Sequence, residues 1–343
     1  MESYVGLDVS LEKTAICVVD GSGHVIKEGE VASNPDEISR FVEAYAPSAR
    51  RIGLETGPTS TWLWHELHQR DLPIICIDAR HAKAALMMQI NKSDRNDAAG
   101  IARIMQTGWY RKVQVKSERS HAIRGLLTSR ALLVKMLRDT ENQIRGLLKN
   151  LGLVIGRAKE GVFTRRVRQI LDERPDMALI IEPLMNARAD IARHLRDIDQ
   201  TTQRLARHDR RTRAFMTVPG IGPITALAFL AAIDDPTRFR RSRTVGAYLG
   251  LTPRRHASGE VDWSGRISKC GDRLTRSYLF AAAGVLLTRI GKWCKLKAWG
   301  LRVAKRSGGK KARVAVARKM AVLLHRMWRD GTHFQWNEEK PAT

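Results

Sequence analysis

Four acidic residues stand where a metal-dependent nuclease places its ligands. Asp8 follows the apolar run 4–7, Glu55 ends the run 51–54, and Asp94 and Asp97 lie three residues apart just before an apolar helix pattern. Carboxylates drawn from strand ends and one helix can hold two hard cations, and two cations about 3.5 to 4 Å apart clamp the attacking and leaving oxygens of a phosphodiester. The spacing therefore predicts a metal-dependent enzyme of nucleic acids.

Each acid also has a purely structural interpretation. Asp94 could cap a helix, Glu55 could pair with Arg51, and Asp8 could cap a turn. On a helix, however, Asp94 and Asp97 share a face, with about 5 to 6 Å between their Cβ atoms. Four acids that converged without cations would repel one another strongly, so their joint occurrence favours a metal site.

A second metal motif fails on its spacing. His65-Glu66-Leu67-His68 places its histidines three residues apart. The zinc protease helix needs them four apart, with the glutamate beside the first. A surface helix is the better prediction for this segment.

Ser258, within the segment 251–259, is the second chemical candidate. Serine is a poor nucleophile at neutral pH unless a base, a metal or a nearby positive charge favours its alkoxide. Such charges surround it in the sequence: Arg254, Arg255, Arg266, Lys269 and Arg273. We predict that these cations contact nucleic acid, because they suit the developing charge of a phosphate. Taken alone, Ser-Gly is a common turn dipeptide.

A glycine-rich turn offers a further phosphate contact. Gly220 and Gly222 lie in Val218-Pro219-Gly220-Ile221-Gly222-Pro223, just before the apolar helix pattern 224–233. Backbone N–H groups at such a helix start can bind phosphate, as in a helix-hairpin-helix element. Simple loop closure explains a Gly-x-Gly turn about as well.

The charge of the chain points to a polyanionic partner. Among 343 residues, 60 Lys and Arg outweigh 35 Asp and Glu, which gives +25. Residues 1–110 carry −4 and the remaining 233 residues carry +29, so the acids lie in the least basic part. Nucleic acid or an anionic membrane surface fits this balance. No apolar stretch reaches the roughly 18 residues of a spanning helix, and membrane binding would not explain the acids.

The first hundred residues predict a mixed α/β domain. Apolar runs indicate strands at 4–7, 15–19, 25–31, 52–54 and 72–77, whereas helical spacing indicates helices at 34–45, 60–70 and 94–107. Asn34-Pro35 is a helix start signal. Three strands, helix, strand, helix, strand, helix is the order of a ribonuclease H-like domain.

From about residue 118 the pattern predicts long helices. Apolar residues or Thr recur at steps of three and four from Leu184 to Leu205, interrupted by Arg188, and less strictly from Ile123 to Leu151. Two such helices, joined by residues 152–175, predict an antiparallel coiled-coil hairpin that projects and pairs with another subunit. The alternative is an ordinary helical core. Beyond 213 the helices shorten, and the basic stretch 292–319 has interleaved tryptophans that favour phosphate contacts.

Six segments together resemble the DEDD transposases of the insertion sequence 110 family, over nearly the whole length. They are Gly6-Leu7-Asp8, Leu54-Glu55-Thr56-Gly57, Asp94-Arg95-Asn96-Asp97, Val218-Pro219-Gly220-Ile221-Gly222, the segment 250–259 and Ile267-Ser268-Lys269-Cys270-Gly271. The resemblance implies a RuvC-like (ribonuclease H-like) domain over 1–112 and a coiled-coil helical linker over 113–212. A mainly helical transposase domain with the serine would follow over 213–335, with a tail over 336–343.

The same resemblance implies an RNA-guided DNA recombinase. Asp8, Glu55, Asp94 and Asp97 would bind Mg²⁺, and Ser258 would attack the phosphodiester to leave a phosphoserine link and a free 3′ hydroxyl. The implied partners are donor DNA, target DNA, a noncoding (bridge) guide RNA and further copies of the chain, as a homodimer off DNA and a tetramer across two duplexes. Serine and acids would come from different subunits. Four cysteines without a CxxC pair fit a reduced bacterial cytoplasm, where the protein would associate with the nucleoid.

Three other functions remain as alternatives. A RuvC-like Holliday-junction endonuclease would use metal-activated water and form no covalent adduct. An actin-like or sugar-kinase ATPase would need a second ribonuclease H-like half, whereas residues 118–343 are expected to be helical. A basic RNA-binding scaffold would carry inactive acids.

Overall fold

A computed structural model describes residues 2–86, 93–156 and 160–336 of the chain. The contacts divide the protein into two compact units, Met1–Lys116 and Ser117–Thr343. The finer division, with boundaries after residues 112, 212 and 335, stays a prediction.

The N-terminal unit is built on a five-stranded sheet of order β3-β2-β1-β4-β5. Its strands are β1 (Ser3–Val9), β2 (Lys13–Asp20), β3 (Val25–Ala32), β4 (Ala49–Glu55) and β5 (Ile74–Ile77). The first three pair antiparallel, whereas β4 runs parallel to both β1 and β5. All five predicted strands are confirmed. The strands β1, β2, β4 and β5 bury apolar residues, whereas β3, at the edge of the sheet, has only exposed and half-buried residues.

Helices cover both faces of this sheet. They are α1 (Pro35–Tyr45), α2 (Ser60–Gln69), α3 (Ala79–Leu86) and α4 (Asp94–Thr107), of which α3 was not predicted. One apolar core joins the sheet to α1 and α2, and a second joins the opposite face to α4. Burial on both faces explains why the central strands read as near-continuous apolar runs. As predicted, the Asn34 side chain caps α1 by accepting from the Asp36 N–H at 2.8 Å.

The C-terminal unit is mostly helical. Its helices are α5 (Glu118–Lys149), α6 (Glu160–Glu173), α7 (Ala178–His208), α8 (Arg210–Met216), α9 (Pro223–Ile233), α10 (Val245–Tyr248), α11 (Arg273–Thr288), α12 (Lys295–Ser307) and α13 (Gly309–Asp330). The core gathers around α9, whose residues 225–233 are all buried, with α11 and α13 packed on it. Two strands, β6 (Pro253–Ser258) and β7 (Val261–Ile267), form a hairpin, so the expectation of an all-helical 118–343 was wrong there.

Helices α5 and α7 pair antiparallel, as predicted. Arg130 of α5 forms an ion pair with Asp199 of α7, and Glu141 of α5 with Arg188 of α7. The two ion pairs are eleven residues apart on each helix, and they follow each other in opposite chain directions, so the two helices are antiparallel. The connection between them differs from the sequence expectation, because α6 lies within it and packs Phe163 and Val167 into the core at that end of the hairpin.

Arg188, which interrupts the apolar seam, is buried with its charge matched. Its guanidinium donates to the Glu141 carboxylate at 2.8 and 3.0 Å and to the Thr164 hydroxyl at 3.3 Å. It also lies over the Phe163 ring, 4.9 Å from the centroid. A buried cation is tolerated only when it is paired and hydrogen-bonded, so this residue ties three helices together.

All four cysteines are free thiols. Burial raises the pKa of Cys17 and of Cys76 to about 11, so both remain protonated and unreactive at neutral pH. Within the described ranges no helix combines the length and apolar character that crossing a membrane requires.

We expect Arg188→Leu to destabilise the protein by about 3 kcal/mol, because Glu141 would keep only its longer contact with Arg145, at 3.4 Å, in a partly buried site. Adding Glu141→Leu to that variant should recover most of the loss. Denaturant unfolding of the single and double variants measures both effects. Equal stability of Arg188→Leu and the unmodified chain would show that the pair does not hold the hairpin.

Candidate active site and nucleic-acid interface

Asp8 and Glu55 lie side by side at one edge of the N-terminal sheet. In the parallel pair β1–β4, Leu7 is opposite Leu54, so the next register positions carry the two acids. Leu7 and Leu54 are buried toward α1 and α2. Because side chains alternate along a strand, Asp8 and Glu55 project from the opposite face, which α4 covers. Both acids are partly exposed.

Helix α4 lies unusually close to the sheet because two glycines meet beneath it. Gly6 and Gly53 are register partners in β1 and β4. A Cβ on Gly6 would overlap the carbonyl oxygen of Ala98, and one on Gly53 would come within 2.7 Å of the Met105 side chain. Any other residue at Gly6 would have to push the helix away from the sheet.

The direction of α4 brings its first turn to the acidic edge. The C-terminal end of α4 lies at the edge of the sheet where β1 and β4 begin. There the Arg51 side chain of β4 donates to the Met105 carbonyl of α4 at 2.8 Å, and the Gln106 side chain of α4 donates to the carbonyl of Gly21, just after β2, at 2.9 Å. Its N-terminal turn therefore points to the strand ends that carry Asp8 and Glu55. Asp94 and Asp97 sit in that turn, where negative charge also suits the helix dipole.

The structural interpretation of Asp94 as a helix cap was wrong. Ser93 caps α4 instead, accepting from the Asn96 N–H at 3.2 Å. Asp94 and Asp97 continue, one turn back, the stripe of Ala98 and Ile101 that packs on the sheet. The Arg51 guanidinium donates to the Met105 carbonyl oxygen of α4, near the end of β4 opposite to Glu55.

The carboxylate oxygens of the four acids suit a hard cation, although the described residues do not form a complete metal site. Within residues 2–86, 93–156 and 160–336, no three His, Cys, Asp or Glu side chains are gathered closely enough to hold an ion. Mg²⁺ keeps several waters and is usually bound by one or two carboxylates together with substrate phosphates. Four carboxylates on one edge are compatible with that mode of binding.

The rejected histidine motif is engaged in packing. His68 stacks on Trp64, with ring centroids 4.7 Å apart, and His65 Nε2 lies 2.9 Å from the Lys116 carbonyl oxygen.

Ser258 lies in the other unit, at the tip of the β6–β7 hairpin. It pairs with Val261 across a two-residue turn whose first residue, Gly259, has a φ of 56°. Glycine at this position is typical of a type II′ turn. Every residue of β6, including Ser258, is exposed. The Ser-Gly dipeptide is thus a turn, as its composition suggested, and the turn presents the hydroxyl to solvent.

Two glycines hold the base of this hairpin. A Cβ on Gly250 would overlap the backbone of Cys270, and one on Gly271 would overlap the carbonyl oxygen of Tyr248. Both have a positive φ, 68° and 78°. Arg276 bridges the two crossing segments by donating to the Leu249 carbonyl at 3.0 Å and the Cys270 carbonyl at 3.1 Å. The base is therefore fixed, while the tip has no packing of its own.

The predicted cations around Ser258 fall into two groups. Arg255 pairs across the hairpin with Asp262 at 2.6 Å, and this hydrogen bond lowers the pKa of the Asp262 carboxyl. Arg254 donates to the Ser268 carbonyl at 3.3 Å. In contrast, Arg266, Lys269 and Arg273 extend exposed side chains into solvent. Sequence reasoning missed Asp262, although its cross-strand placement follows from the hairpin register.

The glycine turn before α9 has a packing role at its first glycine. A Cβ on Gly220 would come within 2.5 Å of the Ala282 carbonyl oxygen, and its φ is 90°. Gly222 caps α9 with open space beside it. Loop closure against α11 therefore accounts for Gly220, whereas phosphate contact at Gly222 stays a prediction.

Comparison with known proteins bears on both units. A model described as the transposase IS116/IS110/IS902 family matches residues 212–298, and a DEDD transposase model matches residues 5–152. The chain belongs to the IS110 family of DEDD transposases. The matched ranges include the four acids in one unit and Ser258 in the other.

Several relatives match nearly the whole transposase. The transposase for insertion sequence element IS1111A of Coxiella burnetii is 28% identical, covering 93% of this chain and 88% of its own length. A probable family 20 transposase of Pseudomonas aeruginosa is 27% identical, over 94% of this chain and 95% of its own. A pilin gene-inverting protein of Moraxella bovis is 22% identical, over 97% of this chain and 98% of its own. The chain is accordingly an insertion-sequence transposase that acts on DNA.

We expect Gly6→Ala to destabilise the transposase by about 3 kcal/mol, because the added methyl group has no room beneath α4. Gly21→Ala is the matched control, since a Cβ there meets nothing within 4 Å, and it should change stability by less than about 0.5 kcal/mol. Denaturant midpoints measure both. Equal losses for the two variants would contradict close contact between α4 and β1.

Proposed function

We propose that this transposase is an RNA-guided DNA recombinase that cuts and rejoins strands with Mg²⁺-bound acids and a serine nucleophile. One observation carries the proposal: Asp8 and Glu55 are neighbours in a parallel strand pair, and the first turn of α4 brings Asp94 and Asp97 to the same edge. The sheet order β3-β2-β1-β4-β5 further supports a ribonuclease H-like, RuvC-like domain.

Mg²⁺ is the cofactor that these oxygen donors suit best. Asp8, Glu55, Asp94 and Asp97 would hold it in the proposed site, with phosphate oxygens of the substrate completing its coordination. When bound, it would stabilise the negative charge that develops on the phosphate oxygens. Without a bound cation, the four carboxylates would repel the phosphates of a polyanion.

Ser258 supplies the attacking oxygen in this proposal. Its Oγ forms a bond to phosphorus while the bond from phosphorus to the 3′ oxygen breaks. The hydroxyl proton is lost from the serine, and the departing 3′ oxygen takes up a proton. The products are a phosphoserine link and a free 3′ hydroxyl, and reversal with a different 3′ hydroxyl rejoins the strands without an external energy source. The exposed cations Arg266, Lys269 and Arg273 would contact the phosphates, together with Arg254 and Arg255 of β6.

Acids and serine would meet through assembly, with the serine of one copy acting beside the acids of another. The exposed end of β6 leaves Ser258 accessible to a second copy. The α5–α7 hairpin provides a surface for homodimer formation, since Leu132 and Met136, one turn apart on α5, are 55% and 42% exposed. A tetramer would then span two duplexes.

The charge distribution supports two kinds of nucleic-acid partner. Residues 111–343 carry +29, ample for donor and target DNA together with a noncoding guide RNA. We place the protein with these partners in the bacterial cytoplasm, at the nucleoid.

We expect Ser258→Ala to abolish recombination and the denaturation-resistant adduct between protein and DNA, because the variant lacks the hydroxyl that forms the ester link in the proposed mechanism. Ser277→Ala, at an exposed serine on α11, is the matched control and should retain both. Gel analysis of a purified reaction after denaturation measures the adduct. Cleavage by Ser258→Ala without an adduct would instead support the RuvC-like hydrolytic endonuclease.

We expect Asp97→Asn to lower the recombination rate more than about a hundredfold, because several kcal/mol of charge stabilisation are lost. The same variant should lose the rise in melting temperature that Mg²⁺ gives the unmodified chain. Glu43→Gln, at an exposed acid on α1, is the control and should keep both properties. A normal rate and a normal Mg²⁺ response in Asp97→Asn would remove that residue from the metal site.

A further inference from the structure

A large groove opens in the C-terminal unit beside the β6–β7 hairpin. Its volume is about 1440 Å³, and its walls are β7, α12 and α13. The close packing of α12 on its neighbours fixes its shape, since a Cβ on Gly300 would come within 2.7 Å of both Leu287 and Val316. The groove is therefore built by the helical core of the C-terminal unit.

The groove is lined by cations alone among charged residues. Eight of its lining residues in the described ranges are Lys or Arg, and none is acidic. Arg266 and Lys269 contribute from the hairpin, Lys295 from α12, and five more from α13. Eight converging positive charges without a carboxylate favour a polyanion.

The groove-facing side of α13 alternates between charge and apolar surface. The lining positions are 310 and 311, 314 and 315, 318 and 319, 322 and 323, and 326. Lysine or arginine occupies the first, third and fifth of these levels, whereas Val, Ala or Leu occupies the second and fourth. Successive levels are four residues apart, about 6 Å along the helix. Cationic and apolar contacts are therefore interleaved along one direction.

Aromatic rings contribute to the apolar floor. Trp299 and Phe334 both line the groove and rest against the buried core. Lys319 lies over the Trp299 ring, with its Nζ 3.8 Å from the centroid. A base that took the place of Lys319 on this ring would leave the displaced ammonium beside its own phosphate, which is the combination that binds a single strand.

We propose that this groove binds an unpaired, single-stranded segment of DNA, with phosphates on the α13 and hairpin cations and bases on the floor at Trp299. The inference rests on the proposed function, because strand exchange exposes such segments, and it adds a binding site to that function. Duplex DNA hides its base faces and would leave the apolar floor against phosphate or water. A single strand satisfies both surfaces at once.

The test uses the full chain and a fluorescent twelve-residue oligothymidylate, with duplex DNA and oligouridylate of equal length as comparisons. We expect the single-stranded DNA to bind most tightly. Trp299→Leu should weaken that binding about tenfold because it removes a stacking face while retaining apolar bulk, and Trp299→Phe should restore most of it. Melting temperatures of both variants confirm that the fold is intact.

The charge contribution has its own variant and control. Lys310→Gln with Lys319→Gln should lower the slope of log affinity against log salt by about 1.4, since each phosphate contact on a single strand contributes about 0.7. Arg289→Gln with Arg329→Gln removes the same charge from exposed positions outside the groove and should have a smaller effect. Equal effects of the two double variants would overturn the assignment.

Photocrosslinking locates the bound strand directly. An oligonucleotide carrying iododeoxyuridine should crosslink to peptides that contain Trp299 or Phe334. Crosslinks confined to other peptides, tighter binding of duplex, or tighter binding of oligouridylate would each overturn single-stranded DNA as the occupant. These outcomes do not depend on catalysis. If the protein forms the Ser258 adduct but does not bind a single strand in the groove, only the groove proposal is refuted. If it binds the strand in the groove but forms no adduct, only the proposed mechanism is refuted.

Discussion

The contact between α4 and the Gly6–Gly53 pair is the constraint on which the acidic edge depends. Two strands can present neighbouring carboxylates without help, but Asp94 and Asp97 reach the same edge only if their helix lies flat on the sheet. The absence of side chains at Gly6 and Gly53 permits that approach, and the Arg51 bond to the far end of α4 sets its direction. Backbone packing thus positions two of the four acids.

Closely packed glycines also position a functional residue in the C-terminal unit. Gly250 and Gly271 let two segments cross closely at the base of the β6–β7 hairpin, while nothing packs on its tip. A two-stranded hairpin is marginally stable by itself, so a fixed base is what keeps Ser258 in a defined place. The acids therefore lie on a sheet and on the helix packed against it, whereas the serine lies on an exposed hairpin.

Much of this architecture follows from local sequence patterns. Apolar runs predicted β1, β2, β4 and β5 because these strands are buried, and Asn34-Pro35 marked the start of α1. The edge strand β3 was predicted too, although none of its residues is buried. The β6–β7 hairpin was missed because β6 is exposed and mostly polar, and because the alternation of Val261, Trp263 and Ile267 in β7 is short and interrupted by Gly265. The role of Ser93 as a cap was hidden by the adjacent Asp94. Side-chain partnerships such as Arg255 with Asp262 depend on register, which composition does not reveal.

The ion pairs of the α5–α7 hairpin have a consequence for how its length can vary. Arg130 with Asp199 and Arg188 with Glu141 fix the register at two levels, eleven residues apart on each helix. A residue inserted in one helix alone would rotate its apolar stripe by about 100° and separate at least one pair. Tolerated insertions must therefore occur as compensating additions in both helices, so relatives with longer or shorter arms should differ by matched increments.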